Sequence, residues 1–390
     1  MRIVHISDCY APRVGGIETQ VQDLASYQAG RGDTVHVLTA TALPKGTEGA
    51  QGRSRYRAST TEAPGLRVHR LASRTTFGLP VHPLGLWLIR RALRMLKPEV
   101  VHVHAGVVSP FAYDGARAAR SLGLPLAITW HCMLDGVESL VSAGAKATGW
   151  DDAPFAPSAV STVAAERVAD ALDRTDVSVL PNGLDLAPWT AAAASPVPSA
   201  VPGALRVVAT QRLAPRKRTI PLLMAVARAH EALGRQPDGT PRIRMTLVGG
   251  GPAEGQVRAD VQANRLEDVV TVMGKAPRAV LPTIYRDQDV FVSPSILEAF
   301  GIAALEARAS GLAIVGRSGT GLGEFVEDGV NGYLVPSDAG ITDALVRLAS
   351  EPELLARIRA TNATVAPAVA WPDVSSAADA LYERALAASV

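Results

Sequence analysis

Cysteine is almost missing from this chain. Its 390 residues include two, Cys9 and Cys132, which excludes a disulfide framework and makes a reducing cytoplasm the expected compartment. Excess charge is missing too. The formal net charge is +2, too little for wholesale nucleic-acid binding by bulk electrostatics. No run reaches the roughly 18 apolar residues that a membrane-spanning helix needs. The opening MRIVHISDCYAP has too short an apolar run for a signal peptide and reads as a strand. Aromatic residues are few, 5%, but hydrophobic residues make up 47% and charged ones 19%. That balance excludes disorder and allows a large core, and the length suits two domains of ordinary size.

Short β-rich runs alternate with helical patterns. RIVHIS (2–7), TVHVLTA (34–40), LRVHRL (66–71), EVVHVHA (99–105), PLAITWH (125–131) and VSVLPNG (177–183) read as strands, with helix-like segments at 16–29, 84–97 and 112–122 between them. Near-continuous apolar strands separated by helices predict a parallel sheet covered on both faces. The pattern repeats in LRVVATQ (205–211), RMTLVGG (244–250), VVTVMG (269–274), DVFVSPS (289–295), LAIVGR (312–317) and GYLVP (332–336). Between the two sets lies the Pro/Ala/Ser-rich stretch 187–204, which reads as a linker. The polar segment 42–65 reads as a mobile loop. The expectation is an α/β chain of two doubly wound domains, 1–186 and 205–369. Ligands of such sheets lie beyond the carboxyl ends of the strands, and the cleft between two such domains is the natural site.

The strand exits carry the chemistry. Gly15-Gly16 opens a helix after the first strand, where free N–H groups and the positive helix end suit an anion. It is not GxGxxG and no Walker lysine follows, so a plain tight turn remains an alternative. His131 follows the fifth strand, either as a site residue or as a histidine buried under a loop. Cys132 beside it has no visible activating partner for thiol chemistry. TQRLAPRKRT places Arg212, Arg216, Lys217 and Arg218 after a strand. Such a group can clamp a diphosphate or be a solvated charge run. LVGGGPAEG (247–255) puts Gly250 in a glycine-rich exit that admits a nucleotide or merely turns.

The most informative stretch is SILEAFGIAALEARASG (295–311). With Glu298 on the turn before a helix and Glu306 within it, eight residues span roughly 12 Å. That is about the separation of a sugar ring and a ribose joined by a diphosphate. Carboxylates accept hydrogen bonds from vicinal hydroxyls, and the helix start between them faces the phosphates. Two solvated helix glutamates are the competing reading, but the segment is unusually apolar for that.

These residues resemble glycosyltransferase family 4, whose retaining enzymes have the GT-B fold: two Rossmann-like domains facing across a cleft. The resemblance covers nearly the whole chain. It rests on the E-x7-E element Glu298-AFGIAAL-Glu306, on Gly15-Gly16, the histidine of TWH, PNGLD (181–185), RLAPRK (212–217), LVGGGP and EDGVNGYLVP (327–336). WPDVSSAADALYERAL is similar to the family's closing helix, so 370–390 is expected to return to the N-terminal domain. The resemblance implies that Glu298 holds hydroxyls of a donor sugar and Glu306 the ribose. Phe300, Gly301 and Ile302 offer amides to the sugar and distal phosphate. Arg212 and Lys217 neutralise the diphosphate, Gly15 and Gly16 line it, and His131 contacts the sugar near its reactive carbon. Two departures stand out: Arg216 replaces a usual acidic or small residue, and Arg218 stands where glycine is frequent. GRSGTGLGE (316–324) also replaces a commoner glycine-glycine-x-x-glutamate arrangement.

The implied activity is retaining transfer of a hexose-type sugar from a UDP- or GDP-linked donor to a hydroxyl acceptor. Inositol derivatives, lipids, saccharides and natural products are all compatible acceptors. No Asp-x-Asp motif is placed to hold a metal, so neither metal nor cofactor is expected. Two rivals stand beside it: a GT-B-fold sugar-nucleotide epimerase, and a non-catalytic nucleotide-sugar-binding protein. In GLWLIRRALRMLK (85–97), Trp87, Arg90, Arg94 and Lys97 share one helical face with Arg91 nearby. That face suits an anionic membrane surface, though a basic helix packed on the sheet is the blander account.

Overall fold

The computed structural model describes residues 1–13, 15–43, 56–72, 83–194 and 203–389. They form two compact units, Met1–Gly183 with Val369–Val390 and Leu184–Ala368.

The N-terminal unit begins β1 (Arg2–Ser7), α1 (Gly16–Gly30), β2 (Thr34–Thr39), β3 (Arg57–Ala63), β4 (Leu66–Leu71), α2 (Gly85–Leu96), β5 (Val100–Ala105) and α3 (Pro110–Ser121). It continues with β6 (Leu126–Trp130), α4 (Glu138–Thr148), β7 (Ala156–Ala159), α5 (Thr162–Leu172) and β8 (Ser178–Val179). Among the described residues these make an eight-stranded sheet of order β3-β4-β2-β1-β5-β6-β7-β8. It is parallel except for β3, which runs antiparallel to β4. Local signals set the helix starts. Ser161 accepts a hydrogen bond from the Ala164 amide to cap α5, and Pro110 occupies the first turn of α3, where its missing N–H costs nothing.

The C-terminal unit has α6 (Ala187–Ala193), β9 (Leu205–Thr210), α7 (Thr219–Leu233), β10 (Ile243–Val248), α8 (Glu254–Ala263), β11 (Val270–Gly274) and α9 (Leu281–Arg286). Then come β12 (Val290–Ser293), α10 (Ile302–Ala309), β13 (Ala313–Arg317), β14 (Gly332–Val335), α11 (Asp338–Ser350) and α12 (Pro352–Thr364). Its strands are ordered β11-β10-β9-β12-β13-β14, all parallel. The last helix, α13 (Trp371–Ala388), packs in the N-terminal unit. There Trp371, Val374, Leu381 and Tyr382 bury against Ile3, Leu24, Val100 and Ala127.

Three expectations change. Segment 42–65, expected as loop, contains β3; residues 44–55 lie outside the described residues. β3 is an edge strand, and no position in it is fully buried, so it lacks the apolar alternation that marks a strand. Segment 187–204, expected as linker, opens with α6, whose Trp189 is buried with its ring 5.8 Å from Tyr285; residues 195–202 are likewise outside the described set. The strand expected at 177–183 shrinks to Ser178–Val179.

In both sheets the strand order reverses direction at one place, between β1 and β5 and between β9 and β12. At such a switch the connections leave to opposite sides and open a crevice at the carboxyl ends.

Candidate active site

In the C-terminal unit, β9 ends at Thr210 and the chain turns past Arg212 to a short 3-10 turn, Pro215–Lys217. The 249–251 glycines let two backbones touch here. A Cβ on Gly249 would lie 1.9 Å from the Gln211 carbonyl oxygen, and one on Gly251 would lie 2.3 Å from that of Leu213. Gly249 also has φ +141. Gly250 is buried in the same loop and its carbonyl accepts from the Leu213 amide. The glycine-rich exit of β10 thus holds the Arg212 turn in place. Arg212 itself is exposed and has no hydrogen-bond or ion-pair partner among the described residues.

Lys217 is paired. Its Nζ lies 2.5 Å from Glu298 Oε2, and both side chains are mostly buried. Arg216 is exposed. Arg218 takes a left-handed conformation, φ +54, and pairs with Asp338 at 2.5 Å. Glycine adopts that conformation without strain, so the frequent glycine of the family has a backbone reason, and here the ion pair offsets the strain.

Glu298 stands in the turn after β12, and α10 begins at Ile302. Gly301 caps the helix with φ +92 and no side-chain hydrogen bond, so the first-turn N–H groups have no side-chain acceptor and suit an anion. Phe300 is buried with its ring 5.5 Å from Phe325. A Cβ on Gly321 would lie 2.0 Å from the Ala299 carbonyl oxygen, so this loop is also locked backbone to backbone. Glu306 is 3% exposed within α10 and pairs with Arg278 Nε at 2.7 Å. Arg278 was not singled out from the sequence: it follows β11 in KAPRAV, which has no glycine-rich turn or charge cluster to mark it as the partner of a glutamate 28 residues on.

In the N-terminal unit, Gly15 precedes α1 and Gly16 opens it. A Cβ on Gly15 would lie 2.3 Å from Glu18 Oε2. A carboxylate therefore already lies beside the start of α1. Asp8, just after β1, accepts the amides of Phe111 and Ala112 at 3.0 and 3.1 Å. Burial still pushes its carboxyl up to about 6. Neither cysteine forms a disulfide, and burial raises the Cys9 thiol to about 11, which removes the thiolate needed for nucleophilic chemistry.

His131 follows β6 and is half-buried. Its Nε2 lies 3.0 Å from His104 Nδ1, and His104 Nε2 lies 2.9 Å from His5 Nδ1. His5 Nε2 meets Gln28 Oε1 at 2.7 Å. Gln28 Nε2 donates to the Tyr382 hydroxyl at 3.0 Å, which lies 3.0 Å from His102 Nδ1. His102 Nε2 reaches Thr129 Oγ1 at 2.7 Å. Burial lowers His5 and His131 to about 4, and His102 and His104 fall well below the usual imidazole value for the same reason. All four are neutral at pH 7. His5, His102 and His104 could present nitrogens within 4.8 Å of one another to a metal. Each of their six ring nitrogens already has a protein partner, which argues against an ion there.

The two doubly wound units and the E-x7-E loop at the second sheet's switch point define a GT-B glycosyltransferase. Residues 14–188 match the model of Glycosyltransferase Family 4, and residues 198–364 match that of Glycosyl transferases group 1; each half of the chain is a glycosyltransferase domain. It is 28% identical to a D-inositol 3-phosphate glycosyltransferase of Kribbella flavida, covering 87% of this chain and 83% of that one. It is 27% identical to a glycogen synthase of Mycobacterium tuberculosis, covering 98% and 94%. Among solved structures it is similar to a sucrose-phosphate synthase from Thermosynechococcus elongatus, at TM-score 0.77 and 19% identity, covering 99% of each chain. It is also similar to Anabaena HepE in complex with UDP and glucose, at TM-score 0.70 and 18% identity, covering 98% of each.

Proposed function

We propose that this glycosyltransferase moves a hexose-type sugar from a UDP- or GDP-linked donor to a hydroxyl acceptor, with retention at the anomeric carbon and without a metal. The observation that carries the reading is the arrangement around α10. Glu298 precedes an uncapped helix start, Glu306 is buried within the helix, and Lys217 is held at Glu298. A sugar, a diphosphate and a ribose have complementary partners in that order. Phe300, Gly301 and Ile302 supply the loop and amides, and Gly250 holds the neighbouring turn.

In this reading the bond from the anomeric carbon to the diphosphate breaks and the acceptor oxygen bonds to the same face. The acceptor proton passes to the departing diphosphate. Arg212 and Lys217 stabilise the negative charge that grows there. Glu298 binds hydroxyls and is not a covalent nucleophile. Gly15 and Gly16 face the pyrophosphate, with Glu18 displaced by it, and His131 serves the sugar. Relatives named as inositol phosphate glycosyltransferases support an inositol-type acceptor. The exposed Leu84, Leu86, Trp87 and Met95 beside Arg90, Arg91 and Arg94 support peripheral contact with an anionic membrane. No helix of the described residues is long and apolar enough to cross one.

The test is a thermal-shift screen with UDP, GDP, ADP and dTDP and their sugars, followed by transfer assays with the base that stabilises. Stabilisation grows with ligand concentration over dissociation constant. One base should stand out, and free nucleoside diphosphate should appear only with an acceptor. Sugar inversion without acceptor would establish the epimerase instead.

A further inference from the structure

The loop that leaves β5, Gly106-Val107-Val108-Ser109, is short and firmly held. The Gly106 amide donates to Ser109 Oγ at 2.8 Å, so the loop closes on itself. The Gly106 carbonyl accepts from the Tyr113 hydroxyl at 2.9 Å. The start of α3, just beyond, is tied to the β1 exit by the two Asp8 carboxylate oxygens, which take the Phe111 and Ala112 amides. Yet Val108 is 81% exposed and Val107 40%. A single exposed valine on a loose loop needs no explanation. Two in sequence on a pinned backbone are different, because the ordering that a ligand would otherwise have to impose is already done.

Their position is equally specific. β5 flanks the point where the order of the N-terminal sheet reverses, so its exit borders the crevice in which such sheets take ligands. The neighbouring exit, that of β6, is held alongside by the His131 amide, which donates to the Ala105 carbonyl at 2.9 Å. It leads into α4, whose first turn carries Leu140, 75% exposed. Residues 106–113 and 131–141 contain no lysine or arginine. His104 and His131 are neutral because burial lowers both. Asp135 is paired with Arg167, and Glu138 adds a negative charge. The β1 exit brings one described cation, the exposed Arg13, against Asp8 and Glu18. A phosphate held here would lack the cationic fork that such groups require, whereas an apolar body would release water from both valines.

We propose that Val107 and Val108, with Leu140 on the neighbouring exit, form the acceptor-binding surface of this unit, and that the acceptor is an uncharged alcohol whose hydroxyl is carried on an apolar body. This rests on the glycosyl transfer proposed above and narrows its acceptor. It sets that acceptor apart from the inositol phosphate suggested by the names of relatives.

Benzyl alcohol is the probe, an uncharged molecule with one hydroxyl on an apolar body. Carbon-13 methyl NMR of the full chain, labelled at valine and leucine, should show the Val107 and Val108 signals shifting saturably with benzyl alcohol. They should not move with myo-inositol 1-phosphate. Equal or larger shifts with the phosphate, or alcohol shifts confined to Leu84 and Leu86 on α2, overturn the proposal. Broadening of the two valine signals by phosphatidylcholine vesicles, without a response to the alcohol, would make the loop a bilayer contact and overturn it too. Val108→Ser should leave melting unchanged, since the side chain is exposed, and raise the dissociation constant for benzyl alcohol about fivefold. Val108→Ile should keep the wild-type value, and an unchanged constant in Val108→Ser overturns the role of the loop. With the preferred donor, nucleoside diphosphate should be released faster with benzyl alcohol than with the inositol phosphate. In Val108→Ser the KM for the alcohol should rise while kcat holds. Faster release with the phosphate overturns the acceptor class. If the protein binds no nucleotide at all, the function proposed above fails, while the alcohol titration still decides whether the loop is an apolar site.

Discussion

The two units pair their polar groups by opposite means. Around the strand exits of the C-terminal unit the paired groups are charged: Lys217 with Glu298, Arg278 with Glu306, Arg218 with Asp338. Within the strands of the N-terminal unit the paired groups are neutral and buried: His5, His102, His104, Thr129 and Ser158 in one hydrogen-bonded chain. Charge tolerates displacement, whereas a tautomer is all or none. The two units should therefore fail under different stresses.

Acid should separate them most. The folded-state pKa of His5 and His131 is lowered to about 4 from the usual 6.5, with His102 and His104 lowered further. A depressed histidine stabilises the fold above pH 6.5 and loses that contribution as pH falls towards 4, because the unfolded chain binds the proton first. Each proton is worth about 1.4 kcal/mol per pH unit. Asp8 works the other way. Its pKa is raised to about 6, so protonation below that favours the fold, but it is one group against six, since burial lowers His36 and His69 as well. Asp33 also faces His5 and raises it slightly. The expected loss for the N-terminal unit between pH 7 and pH 5 is several kcal/mol. The C-terminal unit has one shifted histidine, the half-buried His230, and should lose far less. Hydrogen exchange read unit by unit checks this, and equal losses in both would sink the contrast.

Arg212→Ala comes next. An exposed cation with no protein partner adds little to the fold, so melting should be unchanged while transfer falls roughly 10²–10³-fold, the usual cost of one transition-state donor. Near-normal turnover would remove Arg212 from the diphosphate. Gly301→Ala should destabilise the C-terminal unit by about 2 kcal/mol, since φ +92 strains any side chain. The new Cβ would also lie 2.6 Å from Leu322 Cδ2. A melting curve that does not move would show that the α10 loop is less tightly fixed than its contacts imply.

How much of this contrast the sequence carried follows from range. The turn and helix start at α10 were legible because Glu298, Phe300, Gly301 and Glu306 lie within nine consecutive residues, with Gly301 marking where the helix begins. The parallel strands were legible from continuous apolar runs. β7, sequence APSA, was not, because it holds no β-branched or aromatic residue. The histidine chain was the least legible, since its members come from β1, β5, α1 and α13, as much as 354 residues apart. A signal did exist. On one sheet face Ile3, Val100, Ala127 and Ala156 lie in the first two positions of their strands, and His5, His102, Thr129 and Ser158 follow two residues later on that same face. Four strands that each turn polar on one side announce a buried network, but reading it requires the strand order β1-β5-β6-β7.

The smallest effect lies away from both strand ends, and it probes charge where neither site needs it. α2 buries Gly85, Ile89 and Leu93 and leaves Trp87, Arg91, Arg94 and Met95 exposed. The Arg91 guanidinium stacks 5.7 Å from the centre of the Trp87 ring. Apolar and basic groups side by side on the solvent face suit the headgroup region of an anionic bilayer. At low salt, sedimentation with phosphatidylglycerol vesicles should show weak binding that is lost near 0.5 M salt, as screening requires. Arg91→Gln should weaken it by about 1 kcal/mol, roughly fivefold, with transfer to a water-soluble acceptor unchanged. Binding that survives the salt would assign the attraction to Leu84, Leu86, Trp87 and Met95. No binding at low salt would leave the α2 face an ordinary solvated surface, and make the division between the charged C-terminal pairs and the neutral N-terminal chain sharper still.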